Sequence, residues 1–306
     1  MAFFCISAFF CGCTAKNVTV LQQDNARLHD VPQRNKYAPQ KSEQSPLLVQ
    51  TWESLGTTAP HIFLPYESLP PAHAFPWAAT VSHHLLAGSQ IDALFKEIAE
   101  RRTVRTFFII SPSHWNLSTK TWSLADCTWS VGCNRVICTE TTALKTIAQT
   151  LGVSYDARVF PAEHGINTLI PYVARYFPEA RVVAIAVQGE PPVNQLDAQK
   201  LTNALAPYFS EQLRKENFLL ISTDFSHLAD LPTTAKKDAV SRMFFDAPSS
   251  AAWIYAICDN RQGMYVLAHL LTSESKCNVL FHTNSYELSG EGSDNVTSYY
   301  FALFDS

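Results

Sequence analysis

Four apolar runs, each followed by polar residues that include a histidine, constrain the fold of this chain most. They lie at residues 78–84, 107–114, 218–227 and 279–287. Short unbroken apolar runs are typical of strands that are buried on both faces of a sheet. In an open α/β sheet, ligands bind in the crevice beyond the carboxyl ends of the strands. The sequence therefore predicts a metal or acid–base site at the sheet edge where these histidine-bearing ends meet.

The remainder of the chain from about residue 78 alternates strand and helix patterns. Apolar residues at helical spacing predict a helix over about 89–102, and an apolar run predicts a strand over 181–187. Trp, Val, Ile and Thr around a Gly132 turn predict a hairpin over 121–138. Strand–helix alternation is typical of parallel sheets. We therefore expect an α/β fold with a mainly parallel central sheet and helices on both faces.

Composition limits the partners of the chain. With 306 residues, 47% of them hydrophobic, the chain can bury one large core. Its 23 basic and 27 acidic residues give a formal charge of −4, and no basic block occurs. This distribution argues against a nucleic-acid partner.

The first 13 residues resemble a processing segment. A short apolar stretch, Ala2–Phe10, precedes Cys11-Gly12-Cys13, which resembles a bacterial lipobox in which the cysteine is lipidated. We expect a lipoprotein-type signal over 1–13 with lipidation at Cys13, a polar tether over 14–56 and one domain over 57–306. The usual positively charged region is missing, and the alternatives are an apolar disordered terminus and a cytoplasmic protein. Lipidation would anchor the protein to a bacterial membrane with its domain outside the cytoplasm.

His83 and His114 follow the first two apolar runs and are candidate metal ligands. A single histidine at a strand end is more often a hydrogen-bonded structural residue, but recurrence on separate strands favours a shared site. Two histidines and one carboxylate, with open coordination positions, form non-haem iron sites. Glu287 follows the fourth run and can supply the carboxylate.

Three further residues are candidate catalytic groups. Asp224 and His227 are three residues apart after the third run, a spacing that lets a tight turn bring both into one pocket. Asp224 can orient an imidazole or bind metal, and His227 can transfer protons near neutral pH. His164 follows Glu163 at a predicted helix start. The structural alternatives are that Asp224 caps a turn and that Glu163 complements a helix dipole.

Six short motifs, in order along the chain, carry a resemblance to a known family. They lie at residues 82–88, 111–114, 163–166, 222–227, 258–259 and 284–290. Over roughly Phe75–Phe304 the chain resembles the Memo family, called AmmeMemoRadiSam system protein B in bacteria. That family is similar in fold to the class III extradiol dioxygenases, so the resemblance implies a dioxygenase-like α/β domain.

The resemblance also implies residue roles. His83 and His114 fall where the family has metal-binding histidines, and Asp224 and His227 fall on its Ser-Ser-Asp-Phe-x-His segment near the metal. In the animal proteins a cysteine near the C-terminus is the third ligand.

This chain departs from the family at the third ligand, because the corresponding neighbourhood reads Tyr286-Glu287-Leu288. We take Glu287 as the candidate, since the dioxygenase relatives use a glutamate there. The resemblance implies iron or copper, and the loss of the cysteine favours a harder, oxygen-rich site and therefore Fe(II).

Two functions are compatible with these residues. In the first, Fe(II) binds O₂ or an oxygen-donor small molecule, and His227 is the general acid–base catalyst. In the second, the chain is a non-catalytic metal- or ligand-binding partner in a system with a radical-SAM protein, as the bacterial family name implies. Metal-assisted hydrolysis is a weaker third idea, because two-metal hydrolases need more carboxylates than the sequence offers.

Overall fold

The computed structural model describes residues 45–51, 54–55, 62–188 and 194–305, all within the unit formed by residues 39–306. The predicted signal segment, with Cys13, and most of the predicted tether lie outside these residues. The strands of the described chain are β1 (Leu47–Leu48), β2 (Ala78–Val81), β3 (Thr106–Pro112), β4 (Trp122–Leu124), β5 (Thr128–Ser130), β6 (Val136–Cys138), β7 (Arg181–Val187), β8 (Asn217–Ser222), β9 (Lys276–Asn284) and β10 (Ser298–Asp305).

The helices lie mainly between these strands. They are α1 (Gly88–Arg101), α2 (Thr141–Leu151), α3 (His164–Asn167), α4 (Ile170–Tyr176), α5 (Gln195–Leu205), α6 (Leu231–Asp246), α7 (Arg261–Leu270) and α8 (Ser285–Ser289). The predicted helix at 89–102 and the predicted strand at 181–187 are confirmed by α1 and β7. Among the described helices, none combines the length and apolar character needed to cross a bilayer.

The main sheet has seven strands in the order β4-β7-β3-β8-β2-β10-β9. The four central strands β7, β3, β8 and β2 are parallel, but β4, β10 and β9 join the sheet antiparallel, so three of its six pairings are antiparallel. The α/β prediction is confirmed, whereas the prediction of a mainly parallel sheet is wrong. Every residue of β10 is buried although the strand runs antiparallel to its neighbours. An unbroken apolar run therefore indicates that a strand is covered on both faces, but it does not indicate the direction of the strand.

A second, three-stranded sheet has the order β1-β5-β6. The predicted hairpin is present as the antiparallel pair β5–β6, whereas β4 pairs with β7 in the main sheet. β1 lies within the segment predicted as a tether and pairs in parallel with β5. Part of that segment therefore packs on the domain.

Two apolar cores lie on opposite faces of the main sheet, because successive side chains of a strand point to opposite faces. Phe107 and Ile109 of β3 belong to the core with α1 and α4, and Phe108 and Ile110 belong to the core with α2, α5, α6 and α7. Helices therefore cover both faces of the sheet, as predicted.

Asn260 joins the carboxyl ends of two central strands beneath the histidine motifs. This residue is 1% exposed. Its Nδ2 donates to the backbone carbonyls of Ile110 in β3 and Ser222 in β8, each at 2.9 Å. Its Oδ1 accepts from Gly263 N at 2.9 Å and caps α7. One side chain thereby fixes the positions of two strand ends and one helix.

We expect Asn260→Ala to lower the free energy of unfolding by about 2–4 kcal/mol, because two buried carbonyls lose their side-chain donor and a helix loses its cap. Urea denaturation of the metal-free full chain measures this change. Asn203→Ala on the exposed face of α5 is the matched control and should change stability by less than about 0.5 kcal/mol. Equal effects of the two substitutions would contradict this role of Asn260.

Candidate metal site

The polar residues that follow three parallel strands meet at one edge of the main sheet. His83, His114 and Asp224 each lie two residues beyond the end of a strand, namely β2, β3 and β8. The rings of His83 and His114 have centroids 4.8 Å apart. The predicted convergence of these two histidines is confirmed.

Ser222 sets the tautomer of His83, which is 3% exposed. The Ser222 hydroxyl donates its proton to the carbonyl of Gly165 at 2.5 Å. It can therefore only accept from His83 Nδ1, which lies 3.0 Å away. The lone pair of the neutral ring is left on Nε2, which lies 3.6 Å from Asp224 Oδ2 and 3.5 Å from Asp259 Oδ2.

Glu163 orients His114 in the same way. Its carboxylate is fully buried and accepts from His114 Nδ1 at 2.5 Å and from the His114 backbone N–H at 2.9 Å. Burial lowers the pKa of His114, but the carboxylates of Asp259 and Glu163 outweigh burial and raise the pKa to about 9. Burial likewise raises the pKa of Glu163, and the hydrogen bond from His114 reverses the shift to a net lowering. The Nε2 atom of His114 is thus directed towards Asp259 Oδ2, at 3.7 Å.

Asp259 is the carboxylate at the centre of the cluster. Its Oδ1 accepts from Thr223 Oγ1 at 2.8 Å and from the Asp224 backbone N–H at 3.0 Å. Its Oδ2 is buried and has no hydrogen-bond partner in the described part of the chain. Burial opposes ionisation of Asp259, but the surrounding imidazoles hold its pKa well below the usual range. Asp259 lies in one of the six family motifs, but no pattern in the sequence indicates its role.

His227 lies on the open side of Asp259. Its side chain is 39% exposed, and its Nε2 lies 3.4 Å from Asp259 Oδ2. This Nε2 atom is buried and has no hydrogen-bond partner among the described residues. Burial lowers the pKa of His227, and the nearby carboxylate of Asp259 reverses this to a net increase.

These separations fit ligands of a single cation. The Nε2 atoms of His83 and His114 lie 3.5 Å and 3.7 Å from Asp259 Oδ2. Two atoms that each bind one cation at about 2.1 Å lie about 3.4 Å apart when the angle between them is tetrahedral. Such a cation would also satisfy Asp259 Oδ2, which lacks a hydrogen-bond partner among the described residues.

His164, a candidate catalytic group from the sequence, also lies in the cluster. Its ring centroid lies 4.0 Å from that of His114 and 5.1 Å from that of His83. Burial, reinforced by the neighbouring imidazoles, lowers its pKa to about 4. Two groups of described residues have ligand atoms that all lie within 4.8 Å of one another, namely His83 with His114 and His164, and His83 with Asp224 and Asp259; His83 is common to both groups. Because Nδ1 of His83 is engaged by Ser222, only its Nε2 is free for a ligand role.

Asp224 and Glu287, the two carboxylates proposed from sequence, have different surroundings. Asp224 lies at the cluster, and its Oδ1 accepts from Ser82 Oγ at 2.6 Å. Glu287 lies in the first turn of α8, where its Oε2 accepts from Thr283 Oγ1 at 2.8 Å. Glu287 is exposed and belongs to neither candidate ligand group. The structure therefore brings Asp259, and not Glu287, to the two histidines.

The other strand-associated histidines have separate partners. His84 Nδ1 lies 2.5 Å from Tyr299 Oη, and burial lowers the pKa of His84. Burial raises the pKa of Tyr299, an effect that a hydrogen bond from Ser285 opposes in part. His282 pairs with Asp238 at 3.0 Å and lies outside the cluster.

Comparison with known proteins places this chain in a family. The sequence model of the Memo-like protein family matches residues 82–300, which is more than half of the chain and contains the whole cluster. This chain belongs to the Memo-like family. The resemblance inferred from the six motifs is thereby confirmed.

Two archaeal Memo proteins are similar to this chain. A MEMO1 family protein of Pyrobaculum arsenaticum is 25% identical over 162 residues, which cover 52% of this chain and 56% of the relative. A MEMO1 family protein of Pyrobaculum aerophilum is 21% identical over 158 residues, which cover 52% and 55% respectively. The chain thus spans about half the length of the curated relatives it matches.

Gly165 allows α3 to pack closely against β3 next to His114 in the Memo-like site. A Cβ atom at this position would lie 2.1 Å from Ser111 Oγ and 3.3 Å from His114 Cε1. The first distance is far below van der Waals contact. The backbone of α3 can therefore approach β3 only without a side chain here.

We expect Gly165→Ala to lower the free energy of unfolding of the metal-free protein by about 1–3 kcal/mol through overpacking. Chemical denaturation measures the loss. The double variant Ser111→Ala/Gly165→Ala removes the closest atom and should recover part of the stability. No difference between the single and double variants would show that the close approach of α3 to β3 is not limiting.

Proposed function

We propose that this Memo-like protein binds one Fe(II) ion through His83, His114 and Asp259. The observation that supports the proposal best is that the Nε2 atoms of both histidines are directed at one carboxylate oxygen, Asp259 Oδ2, at 3.5 Å and 3.7 Å. Ser222 and Glu163 hold the Nδ1 protons of the two histidines, so both Nε2 atoms are available as ligands. Asp259 Oδ2 lacks any other described partner.

The donor chemistry supports iron over copper. Imidazole and carboxylate ligands with open positions are typical of non-haem Fe(II) sites, whereas Cu(I) is selected by soft sulfur ligands. Cys258 precedes Asp259, but neither candidate ligand group includes it. Burial raises the pKa of Cys258 to about 12, which keeps the thiol protonated and therefore a poor ligand.

Bound Fe(II) would act as a redox-active Lewis acid towards O₂ or an oxygen-donor small molecule. The residues of the chain would control the access of these molecules to the metal and the transfer of protons. His227 is the partly exposed imidazole beside Asp259, and we assign it the acid–base role, with proton transfer at Nε2. Asp224, held by Ser82, adds negative charge next to His83. Glu163 and Ser222 keep the ligand rings in one orientation, as partners of ligating histidines commonly do. This arrangement, together with the implied likeness to class III extradiol dioxygenases, supports a redox enzyme.

The signal-like residues 1–13 support a further proposal about location. Lipidation of Cys13 would attach the domain to a membrane on the extracytoplasmic side. Partners from a radical-SAM system remain part of this proposal through the bacterial family name alone.

We expect Asp259→Asn to weaken Fe(II) binding by more than about 100-fold, since even partners outside the ligand set change metal affinity by about 10–100-fold. The matched control is Glu287→Gln, which removes the charge of a carboxylate outside the cluster and should leave iron content unchanged. Elemental analysis after anaerobic reconstitution and desalting measures iron per chain. Iron that is retained by Asp259→Asn and lost from Glu287→Gln would contradict the assignment.

We expect the iron-loaded protein to consume O₂ with a member of a catechol panel, and His227→Ala to slow this uptake by about 10²–10⁴-fold. The variant should retain its iron, because His227 is not among the three proposed ligands. An oxygen electrode and elemental analysis of the same samples measure both quantities. A protein that holds iron and consumes no O₂ with any catechol would contradict the enzymatic role and favour the non-catalytic one.

A further inference from the structure

His84 is a second imidazole at the metal site that the proposed function does not use. It directly follows the ligand His83 and is exposed, whereas its partner Tyr299 in β10 is fully buried. The His84 Nδ1 and Tyr299 Oη atoms lie 2.5 Å apart. Which of the two atoms donates depends on the tautomer of His84.

The phenol proton of Tyr299 has one described acceptor. Buried hydroxyl groups donate their proton to a partner, and the partner within reach is His84 Nδ1. Ser285 also hydrogen-bonds the phenol, and its own Oγ accepts from the backbone N–H of Thr297 at 3.1 Å. The hydrogen bond from Ser285 lowers the pKa of Tyr299, which is the effect of a donor to the phenol oxygen. We therefore take Ser285 as the donor to Tyr299, and Tyr299 as the donor to His84. An imidazole that accepts at Nδ1 carries its proton at Nε2.

His84 directly follows the proposed ligand His83, and its backbone is linked to the cluster through Ser82. Its backbone N–H donates to Ser82 Oγ at 3.0 Å, and that hydroxyl donates to Asp224 Oδ1. The ring also interacts electrostatically with Asp224, His83 and His227. Its Nε2 atom has no hydrogen-bond partner in the described part of the chain, so the Nε2 proton is free for a ligand.

We propose that Ser285, Tyr299 and His84 form a hydrogen-bond relay that presents His84 Nε2–H to an oxygen anion of the ligand that binds the metal. The ligand class is a small molecule with a carboxylate, phenolate or enolate oxygen. His84 contacts this oxygen, and Tyr299 is a positioning residue that acts through His84. The inference rests on the proposed function, because the oxygen anion needs the cation as its second partner.

The relay is tested with the zinc-loaded full chain, because zinc is redox-inert and acetate can serve as the anionic probe. Calorimetry first establishes equimolar zinc binding and then measures the affinity for acetate. We expect His84→Ala to weaken acetate binding about tenfold, which corresponds to the loss of one hydrogen bond to a charged group. His84→Gln retains an N–H donor and should recover most of the affinity. His73→Ala, at an exposed histidine outside the cluster, should have no effect.

A second measurement tests the role of Tyr299 without any metal. Nitrogen NMR of ¹⁵N-histidine-labelled protein should show His84 protonated at Nε2 and unprotonated at Nδ1. Tyr299→Phe removes the donor, so the His84 Nδ1 signal should move towards the value of a mixed tautomer. A His84 that is protonated at Nδ1 in the parent protein would overturn the relay.

The outcomes separate the two proposals. If zinc binds and His84→Ala retains the parental affinity for acetate, the relay is wrong and the metal site stands. If zinc does not bind the parent protein, the proposed function and the relay fail together. If His84→Gln is as weak as His84→Ala, a donor at this position is not what holds the anion.

Discussion

Hydrogen-bond acceptors converge at one edge of the main sheet, and this convergence determines what the site can bind. Ser222 and Glu163 engage the Nδ1 atoms of His83 and His114, so the lone pairs of both Nε2 atoms point towards Asp259 Oδ2. Lone pairs and a carboxylate oxygen repel one another at low dielectric, unless a proton or a metal ion lies between them. The raised pKa of His114 is the response of the protein alone, in which a proton takes that place. A divalent cation would bind both Nε2 atoms and the carboxylate oxygen at once.

The fold makes this convergence rigid. The parallel strands β2, β8 and β3 are neighbours in the sheet, so residues two positions beyond their ends are brought together. Asn260 ties β3 to β8 through two carbonyls and starts the helix that follows Asp259. Each histidine is oriented by a buried partner, and the site residues follow strand ends instead of lying on long loops. Both features keep a site preorganised.

Sequence patterns predicted those parts of the site that have a local signal. His83, His114, Asp224 and His227 follow unbroken apolar runs, and this pattern alone predicts that they meet at one sheet edge. Asp259 has no such signal, because it precedes α7 and reaches the site only through the position of that helix. Glu287 follows the fourth apolar run and was predicted from that position as the carboxylate ligand, but the first turn of α8 directs its carboxylate to Thr283. The direction of the strands could not be predicted from the sequence either, because a buried strand has the same apolar pattern whether it runs parallel or antiparallel to its neighbours.

Iron-edge anomalous diffraction from anaerobic crystals of the iron-loaded full chain would locate the metal ion and identify its ligands. We expect one strong peak within about 2.3 Å of His83 Nε2, His114 Nε2 and Asp259 Oδ2, a distance range typical of such metal–ligand bonds. A peak bound by other residues, or iron-loaded crystals without a peak between these three atoms, would contradict this expectation.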